Sequence, residues 1–387
     1  MTDVATVTQR GATRVAQGHP WIFRSDVSTP PTAPAGAVRV RDQRGRWIGT
    51  ALWSPRSEIS LRLVDPDPEV ELDAAWWRRR IAAAVARRSG LAPDTTAYRL
   101  VHAEGDGLPA VVCDRYDRWL VVQLLSASVE AFRDQIVAGL LAETGAEGIL
   151  ARNDVPLRTR EGLARETVPL VGAVPREIEV VEHGVRYVAA PWTGQKTGAF
   201  LDQREARHTM GTMARGRALD CFAYHGSFAL HLARRATTVI AVDSSAEALE
   251  RARRNVALNG YANVELVEAN AFDFLRDCDR RGETFDTIVL DPPAFAKTRS
   301  SLPNALRGYH EINLRAMRLL APGGVLYTAS CSYHVSKALF LEMIERAAQD
   351  AGRPLVLRQV ISQPSDHPEI VTIPETGYLK GAILEAR

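Results

Sequence analysis

The sequence predicts an α/β protein. A doubly wound, mostly parallel seven-stranded sheet occupies the C-terminal part, behind a small β-rich unit and a small α+β unit. Three observations predict this. From about residue 191, β-branched apolar runs alternate with amphipathic stretches five times, and two further strands close the chain. Residues 1–68 hold only short apolar runs cut by Gly, Pro and Asp turns. Residues 70–190 mix strand-like and helix-like patterns without regular alternation. The 387 residues, 46% hydrophobic and 24% charged, are ample for two or three globular domains.

In chain order, a short helical segment carrying Arg10 and Arg14 leads into Trp21-Ile22-Phe23. Strand candidates follow at Ala37–Val40, Trp47–Trp53 and Ile59–Val64, with a hairpin turn at Gln43-Arg44-Gly45. Asp65-Pro66-Asp67-Pro68 is a stiff linker and marks the first boundary. Asp73 can cap a helix through Trp76, Trp77, Ile81 and Val85. Strands are expected at 98–101, 110–113 and 120–125, and a helix over 129–143, whose apolar residues form one stripe. Further strands are 148–151 and the hairpin 178–181/185–188, turned at His183-Gly184. The expected domains are therefore 1–68, 70–190 and 191–387.

The last domain reads as strand 218–222, helix 226–235; strand 239–242, helix 245–258; strand 264–268, helix 271–281; strand 287–290, helix 304–320; strand 324–329, helix 336–350. Final strands lie near 355–360 and 378–386. No internal repeat is present.

Composition excludes several classes. No run of about twenty apolar residues exists, so no membrane helix is indicated, and Met1 to Arg10 lack a signal-peptide core. The cysteines at 113, 221, 278 and 331 have no CxxC spacing. That argues against a zinc site or a disulfide framework, no metal is expected, and a reducing cytoplasm fits. Net charge is only +2, yet residues 1–62 hold nine arginines (10, 14, 24, 39, 41, 44, 46, 56, 62) against four acids (3, 26, 42, 58). Arginine of that density suits phosphate and base contacts, although a solvated face would look the same. Arg10, Arg14, Trp21 and Arg24 are the candidate RNA contacts.

The chemistry concentrates where strands end. Thr287-Ile288-Val289-Leu290 stops at Asp291-Pro292-Pro293-Ala294-Phe295, because proline cannot continue a ladder. In an open α/β sheet that end faces the ligand cleft, so the turn fixes a carboxylate there. Asp220 ends the first strand of the domain, and Tyr224, Gly226 and Ser227 form the following turn. The turn lacks the GxGxxG pair that a pyrophosphate needs, which disfavours a nicotinamide cofactor, and no Walker lysine motif supports ATP. Asp243, beside Ser244, can hold ribose hydroxyls, and Asn270, beside Ala271, can meet an adenine edge. This set suits an adenosine without pyrophosphate, and so S-adenosylmethionine (SAM); helix capping accounts for any single member equally well. Ser330-Cys331-Ser332 follows the fifth strand, where a thiolate could act as a nucleophile or a thiol could simply be buried.

The chain resembles the bacterial class I SAM-dependent 23S rRNA cytosine-C5 methyltransferases with an N-terminal PUA domain. The resemblance runs end to end. It rests on Gly18-His19-Pro20-Trp21-Ile22-Phe23, on Arg99 through Pro109, on Gln195 through Arg204, on Asp291–Phe295, on Ser330-Cys331-Ser332, and on Asp366-His367-Pro368 with Tyr378-Leu379-Lys380-Gly381. It implies a PUA domain, a central EEHEE-type domain and a Rossmann-like methyltransferase domain. It implies SAM as cofactor, 23S rRNA as partner, and a site in which Lys196, Phe200, Gln203, Asp220, Tyr224, Gly226, Asp243 and Asn270 surround the cofactor. Cys331 would be the nucleophile and Asp291 would stabilise charge on the ring. A homodimer is compatible with the sequence. Two departures stand out: Ser227 replaces a usual glycine and Asn270 a usual acid. Related RNA cytosine-C5 enzymes often carry a second cysteine in an Asp-x-Pro-Cys turn; here that slot is Ala294. The competing readings are an exocyclic-amine methyltransferase of N2-guanine or N6-adenine, which uses an Asp-Pro-Pro-aromatic turn and no cysteine, and a non-catalytic RNA-binding protein.

Overall fold

The computed structural model describes residues 3–91, 93–296 and 298–387. By internal packing the chain divides into two units. The first comprises 1–180, 189–201 and 365–376; the second comprises 181–188, 202–364 and 377–387.

In the first unit, β1 (Val4–Val7), β2 (Trp21–Phe23), β3 (Val27–Thr29), β4 (Gly36–Asp42), β5 (Trp47–Trp53) and β6 (Ile59–Asp65) form a six-stranded sheet in the order β2-β6-β5-β4-β1-β3. Only β1 and β4 run parallel. The sequence expectations contain neither β1 nor β3, which are too short to show a period by themselves; pairing with β4 makes β1 a strand. Helix α1 (Gln9–Ala16) is capped by Thr8, whose hydroxyl accepts from Gly11 N at 3.3 Å. Ala5, Val7, Ile22, Val38, Val40, Ala51 and Leu61 are completely buried beneath it.

Helix α2 (Ala74–Ala86) begins at Asp73, whose carboxylate accepts from Trp76 N at 2.7 Å. A five-stranded sheet follows: β7 (Ala97–His102), β8 (Val111–Tyr116), β9 (Trp119–Leu124), β10 (Gly148–Asn153) and β11 (Glu166–Val171), in the order β11-β10-β9-β8-β7. β9 and β10 are parallel because a helical crossover joins them. That crossover is two helices, α3 (Ala127–Glu130) and α4 (Arg133–Thr144), where the apolar stripe predicts one. The break lies at Phe132, whose ring packs 5.3 Å from Trp77. Helix α4 lies close against α2, since a Cβ on Gly139 would stand 2.8 Å from Ile81 Cδ1. The short helix α5 (Pro156–Arg160) and β11 are also absent from the sequence expectations. Segment 365–376 belongs with this unit for a local reason: Asp366 accepts from Arg99 N at 2.8 Å, and Arg88 donates to the Asp366 carbonyl at 2.7 Å.

A hairpin, β12 (Ile178–Glu182) and β13 (Val185–Ala189), turns at His183-Gly184. Both turn residues have positive φ, +48° and +76°, as a tight two-residue hairpin loop requires.

The second unit is a seven-stranded sheet. Its elements are α6 (Arg204–Met213), β14 (Arg217–Cys221), α7 (Ser227–Ala233), β15 (Thr238–Asp243), α8 (Ala246–Leu258), β16 (Val264–Glu268), α9 (Ala271–Arg281), β17 (Phe285–Leu290), α10 (Leu302–Leu319), β18 (Leu320–Ser330), α11 (Lys337–Ala351), β19 (Leu355–Ile361) and β20 (Lys380–Ala386). The strand order is β16-β15-β14-β17-β18-β20-β19, parallel except for β20, which is antiparallel to both neighbours. α6 has no counterpart among the sequence expectations, and β18 starts four residues earlier than the expected 324.

Alternation along these strands builds two cores. Leu219, Cys221, Ile288, Leu290 and Leu326 face one layer with α9, α10 and α11. Ala218, Val289, Val325, Tyr327 and Ala329 face the other with α6 and α7. Strand order reverses between β14 and β17, and the pairing Cys221↔Leu290 brings the two following turns side by side. That switch point is where an open α/β sheet leaves a crevice.

Candidate active site

The first wall of the crevice is the turn after β14. Phe222, Tyr224 and Gly226 all have positive φ, +65°, +51° and +84°. Two of the three are aromatic, and such residues pay about 1 kcal/mol or more for the left-handed region. A strained turn at a strand end is held by its surroundings. Here Asp243, at the end of β15, accepts from Tyr224 N at 2.8 Å and from Ser245 N at 2.9 Å. Asp220 is buried below the turn and accepts from Ala229 N at 2.9 Å, fixing the start of α7. Its Oδ1 is buried and has no hydrogen-bond partner among the described residues. Burial, with little to offset it, pushes the Asp220 carboxyl well above the usual carboxylate range. Ser227 opens α7 and is nearly buried.

Asn270 is the exposed N-cap of α9, and its carbonyl oxygen accepts from Phe272 N at 2.9 Å. Ala271 is the first residue of that helix and is buried. Ser244 is exposed beside Asp243.

The second wall is the turn after β17. Asp291 Oδ1 accepts from Gln203 Nε2 at 2.6 Å, and Gln203 Oε1 accepts from the buried Tyr327 hydroxyl at 2.8 Å. The amide is thereby oriented from both ends and presents its NH2 to the carboxylate. Phe295 turns away into an aromatic cluster, 4.6 Å from Tyr309 and 5.8 Å from Phe272. So the aromatic of this turn anchors it to α9 and α10, while the acid stays at the strand end.

The turn after β18 is joined to it. The Ser332 hydroxyl accepts from Ala296 N at 3.1 Å and meets the Tyr309 hydroxyl at 2.9 Å. Lys380, at the start of β20, donates to the carbonyls of Ser332 and Tyr378, each at 2.7 Å. Cys331 lies between two fully buried serines and is itself partly exposed. The other three cysteines are buried, and burial pushes each of their thiols up. Cys331 is thus the one sulfur among them that a solvent-borne ligand can reach.

The remaining candidates belong to the first unit. Lys196 has positive φ, +53°, and its ammonium stands 4.6 Å from the centre of the Phe200 ring. Arg10 pairs with the buried Asp26; Arg14 stacks 4.5 Å over Phe23. The Trp21 indole donates to Glu104 at 2.9 Å, and Arg24 donates to the carbonyls of Arg56 and Ser57. All four also make these contacts within the chain. Arg10 keeps 67% of its side chain exposed and Arg24 50%.

Sequence reasoning missed two supports. Tyr327 sits mid-strand and reads as core. Glu182 sits in a hairpin strand, yet it is fully buried and holds Arg207 through two 2.6 Å hydrogen bonds and His231 at 3.1 Å. Only contact across elements reveals either role.

Among the described residues no group of three or more His, Cys, Asp or Glu could hold a metal ion, and no helix is long and apolar enough to cross a membrane. Residues 155–380 match a family model described as S-adenosylmethionine-dependent methyltransferase, and residues 5–66 match a PUA-like domain. The chain is 40% identical over 379 residues to a ribosomal RNA large subunit methyltransferase I from Aeromonas hydrophila, covering 95% of this chain and 96% of that one. It is 41% identical over 374 residues to a protein of the same name from Shewanella amazonensis, covering 94% of each. Among solved structures, a SAM-dependent methyltransferase from Streptococcus mutans superposes over the whole of both chains with a TM-score of 0.83 at 22% identity. A methyltransferase complexed with SAH does so with a TM-score of 0.84 at 22% identity. A strained turn, strand-end acids at a switch point and matches of this length agree: the chain belongs to the S-adenosylmethionine-dependent methyltransferase family, alongside the ribosomal RNA large subunit methyltransferase I proteins.

Proposed function

We propose that this protein methylates C5 of a cytosine in 23S rRNA, with Cys331 as nucleophile. The observation that carries the reading is Cys331 itself. It is the accessible cysteine of four, in a turn tied through Ser332 to the Asp291 turn. The relatives' name supplies the substrate class, large-subunit rRNA. The PUA-like match and the arginines of residues 1–62 agree with an RNA partner.

The residues present fit the cofactor. Asp220 Oδ1 is buried and has no hydrogen-bond partner among the described residues, and the turn above it is held in left-handed backbone at Phe222, Tyr224 and Gly226. Asp220, Tyr224, Gly226, Ser227, Asp243, Ser244, Asn270, Ala271 and Gln203 would hold the cofactor. The bound cofactor supplies an electrophilic methyl group.

Cytosine C5 is a poor nucleophile. Addition of the Cys331 thiolate to C6 would form an S–C bond as the C5–C6 double bond shifts into the ring, giving C5 the enamine character that a methyl electrophile requires. The Asp291 carboxyl, oriented by Gln203, would hold N3 and stabilise the charge that develops on the ring. Loss of the C5 proton then re-forms the double bond as the S–C bond breaks, returning the thiolate. A target base in a duplex would first be flipped out of its stack.

The test is methyl transfer from labelled SAM to unmodified 23S rRNA, followed by digestion to nucleosides, with wild type and Cys331→Ala. The expected result is labelled 5-methylcytidine with wild type, and at least a thousandfold loss with the variant while SAM binding is retained. Label on an exocyclic amine, or an active variant, would replace this reading with an amine clamp built on the Asp291 turn.

A further inference from the structure

The chain has 48 basic residues, and only four are lysine: 196, 297, 337 and 380. Arginine stays charged in any protein environment, whereas a buried lysine amine can give up and take back a proton. Lys380 is 7% exposed. It stands opposite Ser330 in the antiparallel β18/β20 pair, one residue from Cys331. Its ammonium is fixed by the carbonyls of Ser332, just after Cys331, and Tyr378, each at 2.7 Å. Two of its three N–H donors are used in this way.

We propose that Lys380 is a positioning residue for the Cys331 nucleophile, its fixed ammonium standing on the Cys331 turn as the counter-cation of the thiolate. The inference rests on the reading of Cys331 given above. The step balances with solvent: the S–H bond breaks, the proton passes to water, and the thiolate left behind is paired with the ammonium already in place. Burial brings the Lys380 ammonium down to about 8, and the charge that acts against this is that of an ionised Cys331. The favourable charge interaction is mutual: a cation at Lys380 Nζ stabilises the anion at Cys331 as much as that anion stabilises the cation. Two carbonyl acceptors hold the amine on the Cys331 turn whichever form it takes.

Among the described residues, the other ionisable groups around this turn have other partners or the wrong charge. Tyr309, from α10, meets Ser332; burial raises its hydroxyl, which stays neutral near pH 7. Asp291, at the end of the neighbouring β17, is an anion's wrong partner. Tyr378 donates to Asp202 at 2.7 Å. Tyr333 and His334, in the turn itself, stack edge to face with each other at 5.5 Å.

The test is alkylation of Cys331 by iodoacetamide as a function of pH, read at that cysteine by peptide mass spectrometry. It needs neither SAM nor RNA, so it reports on the thiol whether or not cytosine is the substrate. Wild type is expected to react with a midpoint below the ordinary thiol value of about 8.5. Lys380→Met is expected to move the midpoint up by about one pH unit, a roughly tenfold slower reaction at neutral pH. Lys380→Arg keeps the charge and should recover most of the shift. A purely structural lysine would leave the midpoint unmoved in a Lys380→Met protein that still binds SAM, and that result would overturn the proposal. If the methionine variant does not fold, the wild-type profile still decides: a midpoint at or above about 8.5 sinks it.

Discussion

Glu182 has no exposed surface and still carries a charge. Burial alone would raise its carboxyl; the Arg207 guanidinium and the His231 and Arg207 hydrogen bonds outweigh this and hold it well below the usual range. Breaking one side of such a pair leaves an uncompensated charge in a dry site. Glu182→Gln is therefore expected to destabilise the second unit by about 3–5 kcal/mol, measured by urea unfolding. An equal loss from Arg207→Met, with the double variant less damaged than the sum, would show that the two act as a pair. Nothing in a hairpin sequence announces this role, because Glu182 becomes important only when α6 and α7 bring Arg207 and His231 to it. By contrast Asp291 and Cys331 are legible one by one. Each directly follows, or nearly follows, an apolar run that must stop, and position at a strand end is what makes a polar residue suspect.

At the level of elements, β18 and β20 show how residues inside a strand can serve a site at its end. Tyr327 on β18 bonds Gln203, which bonds Asp291. Gly381 of β20, paired with Ala329 of β18, leaves room for that ring: a Cβ on Gly381 would stand 2.7 Å from the Tyr327 hydroxyl. Gly381→Ala is expected to push Tyr327 aside, cost about 1–3 kcal/mol in stability, and lower methyl transfer through a misplaced Asp291. Tyr327→Phe, which keeps the packing and removes only the hydrogen bond, should lower transfer with a smaller stability loss; comparing the two by thermal unfolding and turnover separates clash from relay. The elements with a strong period, α8, α9 and the strands of the parallel sheet, follow the sequence to within a few residues. α6, α5, β1 and β11 do not, because their residues are selected by partners rather than by a repeating apolar face.

Across the whole molecule, buried histidines make stability fall with acid, His225 and His102 among them. Burial, then the nearby Arg207, brings His225 down to about 3; burial, then Arg99, brings His102 down to about 2. An unfolded histidine titrates near 6.5. Between these values the unfolded chain binds protons that the folded chain refuses, so stability is fully present above about pH 6.5 and is lost as pH falls. Each histidine contributes a slope of up to about 1.4 kcal/mol per pH unit in that window. Urea unfolding at pH 7 and at pH 5 should show the loss, and His225→Asn should flatten it; an unchanged slope would mean that the histidines titrate alike in both states. The sequence by itself determined the parallel sheet, the strand-end acids and a cysteine in the turn after the fifth strand, because period, proline and strand termination are local physics. The tertiary structure alone decided which segments share a unit, that Phe295 anchors rather than lines the crevice, and that Lys380 reaches the Cys331 turn. Those depend on burial and on contacts between residues tens to hundreds of positions apart, which no local pattern encodes.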